Sequence, residues 1–347
     1  MLVKFPLNSY ERVFLQLKSS KAGRLDRLPC INPTSTATLE FMEATGAHWP
    51  EAHLNPEKMA KLGSAAHRLA GLDNVSIPFD LTVEAEALGA KVDYGGGAQP
   101  TWPKIEKYIL DTSESLELPR DLESAGRIPI LAEALKILKE EFKGEVPVNV
   151  FINPPFTCLS HYLHSPQKFF GILLKEPEKV KAWMDTLTEA SIRIVEVYVE
   201  AGADIVTLHE MAGTLISPKH FEEFVEPYLK KLTAKIRCPT ILSICGSALR
   251  IVDMMVRIGA NAIALDEKTS LGQARRKADR IRPNYPIAGN ISPKLLCEGT
   301  PNQILQAVKE AIAEGVSLVA PGCDFMLETP TENIRHLVDA VEKLSME

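Results

Sequence analysis

The stretch EAGADIVTLHE, Glu200 to Glu210, passes from the end of a helix into a strand. Upstream lies a long amphipathic run from Glu176, and Gly202 closes it in the manner of a helix C-terminus. Ala203 to His209 is then short, β-branched and almost wholly apolar, as expected of a strand covered on both faces, and it stops at the polar pair His209-Glu210. A helix, a glycine, a buried strand and a polar end together make one unit of a parallel α/β sheet.

The same unit recurs outward in both directions. Strand-like runs fall at Arg27 to Ile31, Val75 to Phe79, Val146 to Ile152, Thr240 to Cys245, Asn261 to Asp266, Pro286 to Asn290 and Val316 to Pro321, with helical patterns between them. Gly259 and Gly315 sit where helices stop, Ser217-Pro218 opens a helix, and Thr329-Pro330-Thr331-Glu332 has the pattern of a capping box. Eight strand and helix units predict a single (β/α)8 TIM barrel over residues 1–347 with an N-terminal helical extension. The Gly-, Pro- and Trp-rich stretch Gly95 to Pro119 is too long for a simple connection and is expected to be a lid-like loop.

Composition narrows the function. The chain has 45% hydrophobic and 24% charged residues, an ordinary globular balance. Its net charge of -6, with Lys and Arg scattered along helices, argues against a nucleic-acid partner. No apolar run reaches the roughly 18–20 residues of a membrane span, and the N-terminus lacks a signal-peptide layout, so a cytoplasmic protein is expected. Six cysteines in 347 residues are too few for a disulfide scaffold and read as free thiols or metal ligands.

A TIM barrel carries its chemistry at the C-terminal ends of its strands. There the sequence places Asp80, Asn153, His209, Glu210, Ser243, Cys245, Asp266, Glu267, Asn290 and Gly322-Cys323-Asp324. Alternation along a strand points Ser243 and Cys245 to one side and Leu242 and Ile244 to the other. Cys245 and Cys323 can converge only if the barrel closes; converging thiols in a reducing compartment favour zinc, and the other reading is two separate buried cysteines. His48, His53, His67 and His336 read as packing or surface residues, while His161 and His164 could border the pocket.

Seven segments carry a resemblance over nearly the whole chain: GAHWPEAHLNPEKMAKL (Gly46 to Leu62), IPFDLTVEAEALGAKV (Ile77 to Val92), GRIPILAEALKIL (Gly126 to Leu138), EAGADIV (Glu200 to Val206), ICG (Ile244 to Gly246), GNISP (Gly289 to Pro293) and LVAPGCDFMLETPTENI (Leu318 to Ile334). They resemble the methylcobamide:coenzyme M methyltransferases and other corrinoid-dependent methyltransferases of the uroporphyrinogen-decarboxylase superfamily. The resemblance implies zinc on an H-x-C pair after the fifth strand and on a distant cysteine after the eighth, here Cys245 and Cys323. Ser243 stands where that histidine would be. Serine is a poor neutral ligand, so His209 and Glu210 are the candidates for a third donor; if Thr207 and His209 face inward, His209 is the better placed.

The resemblance thus implies methyl transfer between a corrinoid protein and a thiol similar to coenzyme M, with zinc activating the thiolate, and the strand-end residues Asp80, Glu210, Ser243 and Asn290 are expected as further site residues. No D-x-H-x-x-G corrinoid-binding pattern occurs, so the corrinoid is expected on a separate small protein. Three alternatives stand beside it: transfer from a donor such as an aryl methyl ether or methylamine to reduced corrinoid, a noncatalytic corrinoid-protein binder, and a uroporphyrinogen decarboxylase. Asp80 resembles the decarboxylases' pyrrole-binding aspartate. Their arginine-rich N-terminal motif is missing, however, because Cys30-Ile31-Asn32-Pro33-Thr34-Ser35 contains no cation to pair the substrate carboxylates.

Overall fold

The computed structural model describes residues 6–18, 25–95, 100–111 and 115–345. Its strands run in the order β1 (Val75–Ile77), β2 (Lys91–Asp93), β3 (Lys104–Lys107), β4 (Val148–Ile152), β5 (Ile205–His209), β6 (Thr240–Ile244), β7 (Ala262–Leu265), β8 (Ile287–Ile291) and β9 (Leu318–Pro321). Seven of them form one curled parallel sheet, β1-β4-β5-β6-β7-β8-β9, with helices in the crossovers, which is the architecture of a (β/α)8 barrel.

The eighth position differs from the expectation. Arg27 to Ile31 was expected as a strand, and it contributes one parallel bridge, Cys30 to Val319. On its other side the backbone N–H groups of Cys30 and Asn32 donate to side chains, Asp73 Oδ2 at 2.8 Å and Asn74 Oδ1 at 2.9 Å, where a ladder would have offered carbonyls. Asp73 Oδ2 also accepts from Arg27 at 2.6 Å and Oδ1 from Arg12 at 2.7 Å, so a buried ion cluster ties the closing segment to β1.

Alternation along the strands splits the apolar residues in two. Val206, Leu208, Leu242, Ile244, Ile263 and Leu265 face the helices and belong to the large outer core. Ile205, Ile241, Ala262, Ala264, Ala288, Leu318 and Ala320 face inward, where Val13 and Leu17 join them. The helix Ser9–Leu17 therefore plugs the end of the barrel from which the strands start, and its Leu17 carbonyl lies 3.4 Å from Asn261 Nδ2. The helical extension amounts to that plug; the helices between Leu39 and Ala70 belong to the crossover preceding β1.

Two local expectations change. Part of Gly95 to Pro119, expected as a loop, is a hairpin: β3 pairs antiparallel with β2, and residues 96–99 and 112–114 lie outside the described residues. Its strands are exposed and charged, so no apolar alternation announced them. The capping box at Thr329 does not form as expected. Thr331 N–H instead donates to Glu40 of a neighbouring helix at 2.7 Å. Ser217 does cap its helix, accepting from His220 N–H at 3.2 Å.

Candidate metal centre

The inward row of each strand continues upward into the mouth of the barrel. On β5 the row is Ile205, Thr207, His209; on β6 it is Ile241, Ser243, then Cys245 just past the strand end. The register of the two strands sets His209 beside Ser243, and Glu210 N–H donates to the Ser243 carbonyl at 2.8 Å, so the ladder fixes their relative placement. Cys323 enters from the loop after β9, three strands further round the sheet. Barrel curvature brings the three together: Cys245 Sγ lies 2.7 Å from Cys323 Sγ and 4.0 Å from His209 Nε2.

His209, Cys245 and Cys323 form a group whose ligand atoms all lie within 4.8 Å of one another. A tetrahedral zinc ion, with Zn–S near 2.3 Å and Zn–N near 2.0–2.1 Å, holds such donors roughly 3.5–3.8 Å apart. The imidazole is therefore at a suitable distance, and the free thiols would part by about 1 Å to admit the ion. Two thiols and one imidazole are an ordinary zinc donor set that leaves a fourth position for substrate.

The electrostatics suit a cation. The hydrogen bond from Cys245 pulls the Cys323 thiol below its usual range, with His209 adding to the effect, and raises the Cys245 thiol in turn. Burial alone would lower the His209 pKa, but its hydrogen bond and charge attraction to Cys323 outweigh that and raise it. Asp324 and Asp266 add negative charge around the thiols.

Glu210 does not join the group. Adjacent residues on a strand point to opposite faces, and with His209 inward the Glu210 carboxyl turns to Thr157, accepting from its hydroxyl and from its N–H at 3.3 Å, and from Ala212 N–H at 3.1 Å. Complete burial pushes it up to about 7, despite the hydrogen bonds from Thr157. Ser243 is not within the ligand group either; its Oγ lies 3.1 Å from His209 Nδ1. Asn290 stands further round the rim, donating from Nδ2 to the Thr269 carbonyl at 3.0 Å.

Asp80 lies buried just past the end of β1, where an arginine that sequence reasoning missed engages it. Arg127, 1% exposed, donates from Nη1 to Asp80 Oδ2 at 2.9 Å, from Nη2 to Oδ1 at 3.0 Å and to Thr82 Oγ1 at 2.7 Å, and from Nε to Glu86 at 2.7 Å. Thr82 adds its hydroxyl and N–H to Oδ1, and His53 Nδ1 lies 3.1 Å from Oδ2. Burial would raise the Asp80 pKa; the Arg127 charge reverses that and holds it well below the usual range. His53 is accordingly buried beside this carboxylate, packed against Trp49, Phe79 and Tyr94. The hairpin closes over the cluster, with Trp102 on Trp49 and Tyr94 beneath the Arg127 guanidinium. In the sequence Arg127 stands inside the segment GRIPILAEALKIL, just ahead of an apolar helix, where no periodic signal marks it as a site residue. Of the other histidines, His161 Nδ1 pairs with Ser160 Oγ at 2.8 Å and His164 Nδ1 with Asp111 at 3.0 Å.

A profile of the family named Uroporphyrinogen decarboxylase (URO-D) matches residues 15–344. The chain belongs to that family. Within it, the chain is 32% identical to the methylcobamide:CoM methyltransferase MtbA of Methanosarcina acetivorans over 96% of this chain and 97% of that protein. It is 34% identical to the methylcobamide:CoM methyltransferase MtaA of Methanosarcina barkeri over 91% and 93%. A uroporphyrinogen decarboxylase of Geobacter metallireducens is 27% identical over 84% and 86%. Among solved structures, a methyltransferase from Methanosarcina mazei superposes with a TM-score of 0.90 at 32% identity, covering 97% of this chain and 99% of that one. The chain is thus an enzyme of the methyltransferase branch of the family.

Proposed function

We propose that this enzyme moves a methyl group between a corrinoid carried on a separate small protein and a thiol similar to coenzyme M, with zinc held by His209, Cys245 and Cys323. The observation that carries the reading is the convergence of those three donors in the barrel mouth. Relatives of this branch are named for methyl transfer between methylcobamide and coenzyme M, which supports the same pair of substrates here. When bound, zinc would favour the thiolate form of a thiol in its open position, and the thiolate is the nucleophile.

The chain's own residues supply the rest. The two thiols and the imidazole gather negative charge and a lone pair at one point, and the surrounding Asp266 and Asp324 favour a cation there. The barrel mouth gives a partner protein access to that point. As sulfur bonds to the methyl carbon, the carbon–cobalt bond breaks and its electron pair stays with the corrinoid. Asp80 does not offer itself as a pyrrole-binding carboxylate: both oxygens already accept from Arg127, and Oδ1 from Thr82 as well, which favours this branch over decarboxylation.

Metal analysis and methyl-transfer assays with methylcobalamin and a thiol test the proposal together. Wild type should carry about one zinc per chain, lost in Cys245→Ala and Cys323→Ala together with transfer, while circular dichroism shows the barrel intact. Methyl transfer persisting in a zinc-free wild type would refute the metal role. Porphyrinogen turnover by the wild type would refute the substrate assignment.

A further inference from the structure

Ser243 lies outside the donor group and yet touches its imidazole. Its Oγ is 3.1 Å from His209 Nδ1, while the other ring nitrogen, Nε2, faces Cys245 at 4.0 Å. Ser243 itself has no freedom to be elsewhere: it is 3% exposed, sits between Leu242 and Ile244 at 0%, and is locked in register beside His209. The ring also meets Phe151 edge-on, with centroids 6.3 Å apart and planes at 75°.

We infer that Ser243 is a positioning residue: its hydroxyl accepts from His209 Nδ1–H, fixing the tautomer and tilt that present the Nε2 lone pair to the point between the two thiols. The inference rests on the proposed metal site and adds the device that orients its nitrogen donor. A neutral imidazole has one N–H and one lone pair, so whatever binds the N–H decides which nitrogen can ligate. Without an acceptor at Nδ1 the ring has two tautomers, and Nε2–H would point its proton where a cation belongs. The hydroxyl can take this role because it is both donor and acceptor; the methyl group of alanine, of nearly the same size, cannot.

The test is zinc affinity, measured by competition with a chromophoric chelator, alongside the visible spectrum of the cobalt(II)-substituted protein. Ser243→Ala should weaken zinc binding about 10–100-fold, the range seen when a ligand's hydrogen-bond partner is removed. It should alter the cobalt ligand-field bands, while the metal-free protein keeps one cooperative melting transition, lowered only by the loss of a single buried hydrogen bond. Ser243→Thr, which keeps the hydroxyl, should recover most of the affinity. In a His209→Ala background, Ser243→Ala should cost nothing further, because its effect runs through the ring.

Wild-type affinity in Ser243→Ala would overturn the inference and leave the serine a packing residue. An equal loss in the His209→Ala background would also overturn it, by showing that the hydroxyl acts on the metal directly. If the wild type takes up no zinc, the metal site itself fails, an outcome seen before any variant is made.

Discussion

Replacing Arg127 by leucine should be among the most damaging single changes in this barrel, and its pH dependence identifies why. The guanidinium is 1% exposed and makes two hydrogen bonds to Asp80, one to Thr82 and one to Glu86. Leucine fills much of the space but leaves Asp80 buried with its countercharge gone, a loss of about 3–5 kcal/mol for a broken buried pair. In wild type the Asp80 pKa is depressed. Its stabilisation is therefore complete above the unfolded value near 3.9 and disappears only as pH falls through the lower folded value, so it adds no slope between pH 5 and 8. Without Arg127, burial should raise the folded pKa above the unfolded one. The folded variant then binds the extra proton, and its deficit against wild type grows as pH rises from 5 to 8. Urea unfolding followed by circular dichroism at both pH values measures this. The double variant Asp80→Asn/Arg127→Leu, which removes the fully buried charge and leaves only the partly exposed Glu86 without its partner, should lose less than Arg127→Leu alone. Equal deficits at pH 5 and pH 8, or a double variant worse than the sum of the two singles, would show that Arg127 acts by packing and that the ion-pair account is wrong.

Leu17→Ala should cost about 2–5 kcal/mol by opening a cavity in the plug, since Leu17 is fully buried within the inner core; denaturation should show the loss while zinc content stays at the wild-type level. Glu84, whose burial pushes its pKa up to about 8, is predicted to cost wild type stability progressively as pH rises from the unfolded value near 4.3 to that point. Glu84→Gln removes that loss, so the variant should gain on wild type from pH 5 to pH 8 by up to about 1.4 kcal/mol per pH unit and level off beyond; a pH-independent difference would mean that the carboxyl is ionised in the folded state throughout.

The parts of this molecule that follow from strand alternation were legible, and the parts that depend on side chains meeting across long separations were not. A strand with a period of two lets only one of two consecutive residues face the mouth. Alternation allowed only one of His209 and Glu210 to share the inward row with Thr207 and left both as candidate donors, and the structure puts His209 with the thiols and Glu210 against Thr157. Cys245 and Cys323 are 78 positions apart, and only the closure implied by repeated strand units brought them together. By contrast, Arg127 meets Asp80 across 47 positions through a helix N-terminus with no periodic signature. The shortened strand at Cys30 has a similar cause. Its sequence is apolar enough for a ladder, but Asp73 and Asn74, two ordinary polar residues ahead of β1, take its N–H groups. A propensity for strand was present there and a competing acceptor decided the outcome. The candidate metal centre shows both regimes at once. Which residues face the mouth follows from alternation, whereas the meeting of a serine hydroxyl with the Nδ1 of the neighbouring strand's histidine follows from register, and register is set by the closed sheet as a whole. Substituting serine at the β6 position therefore need not cost the site its imidazole, because the adjacent strand presents one at the same level and the serine is placed to steady it.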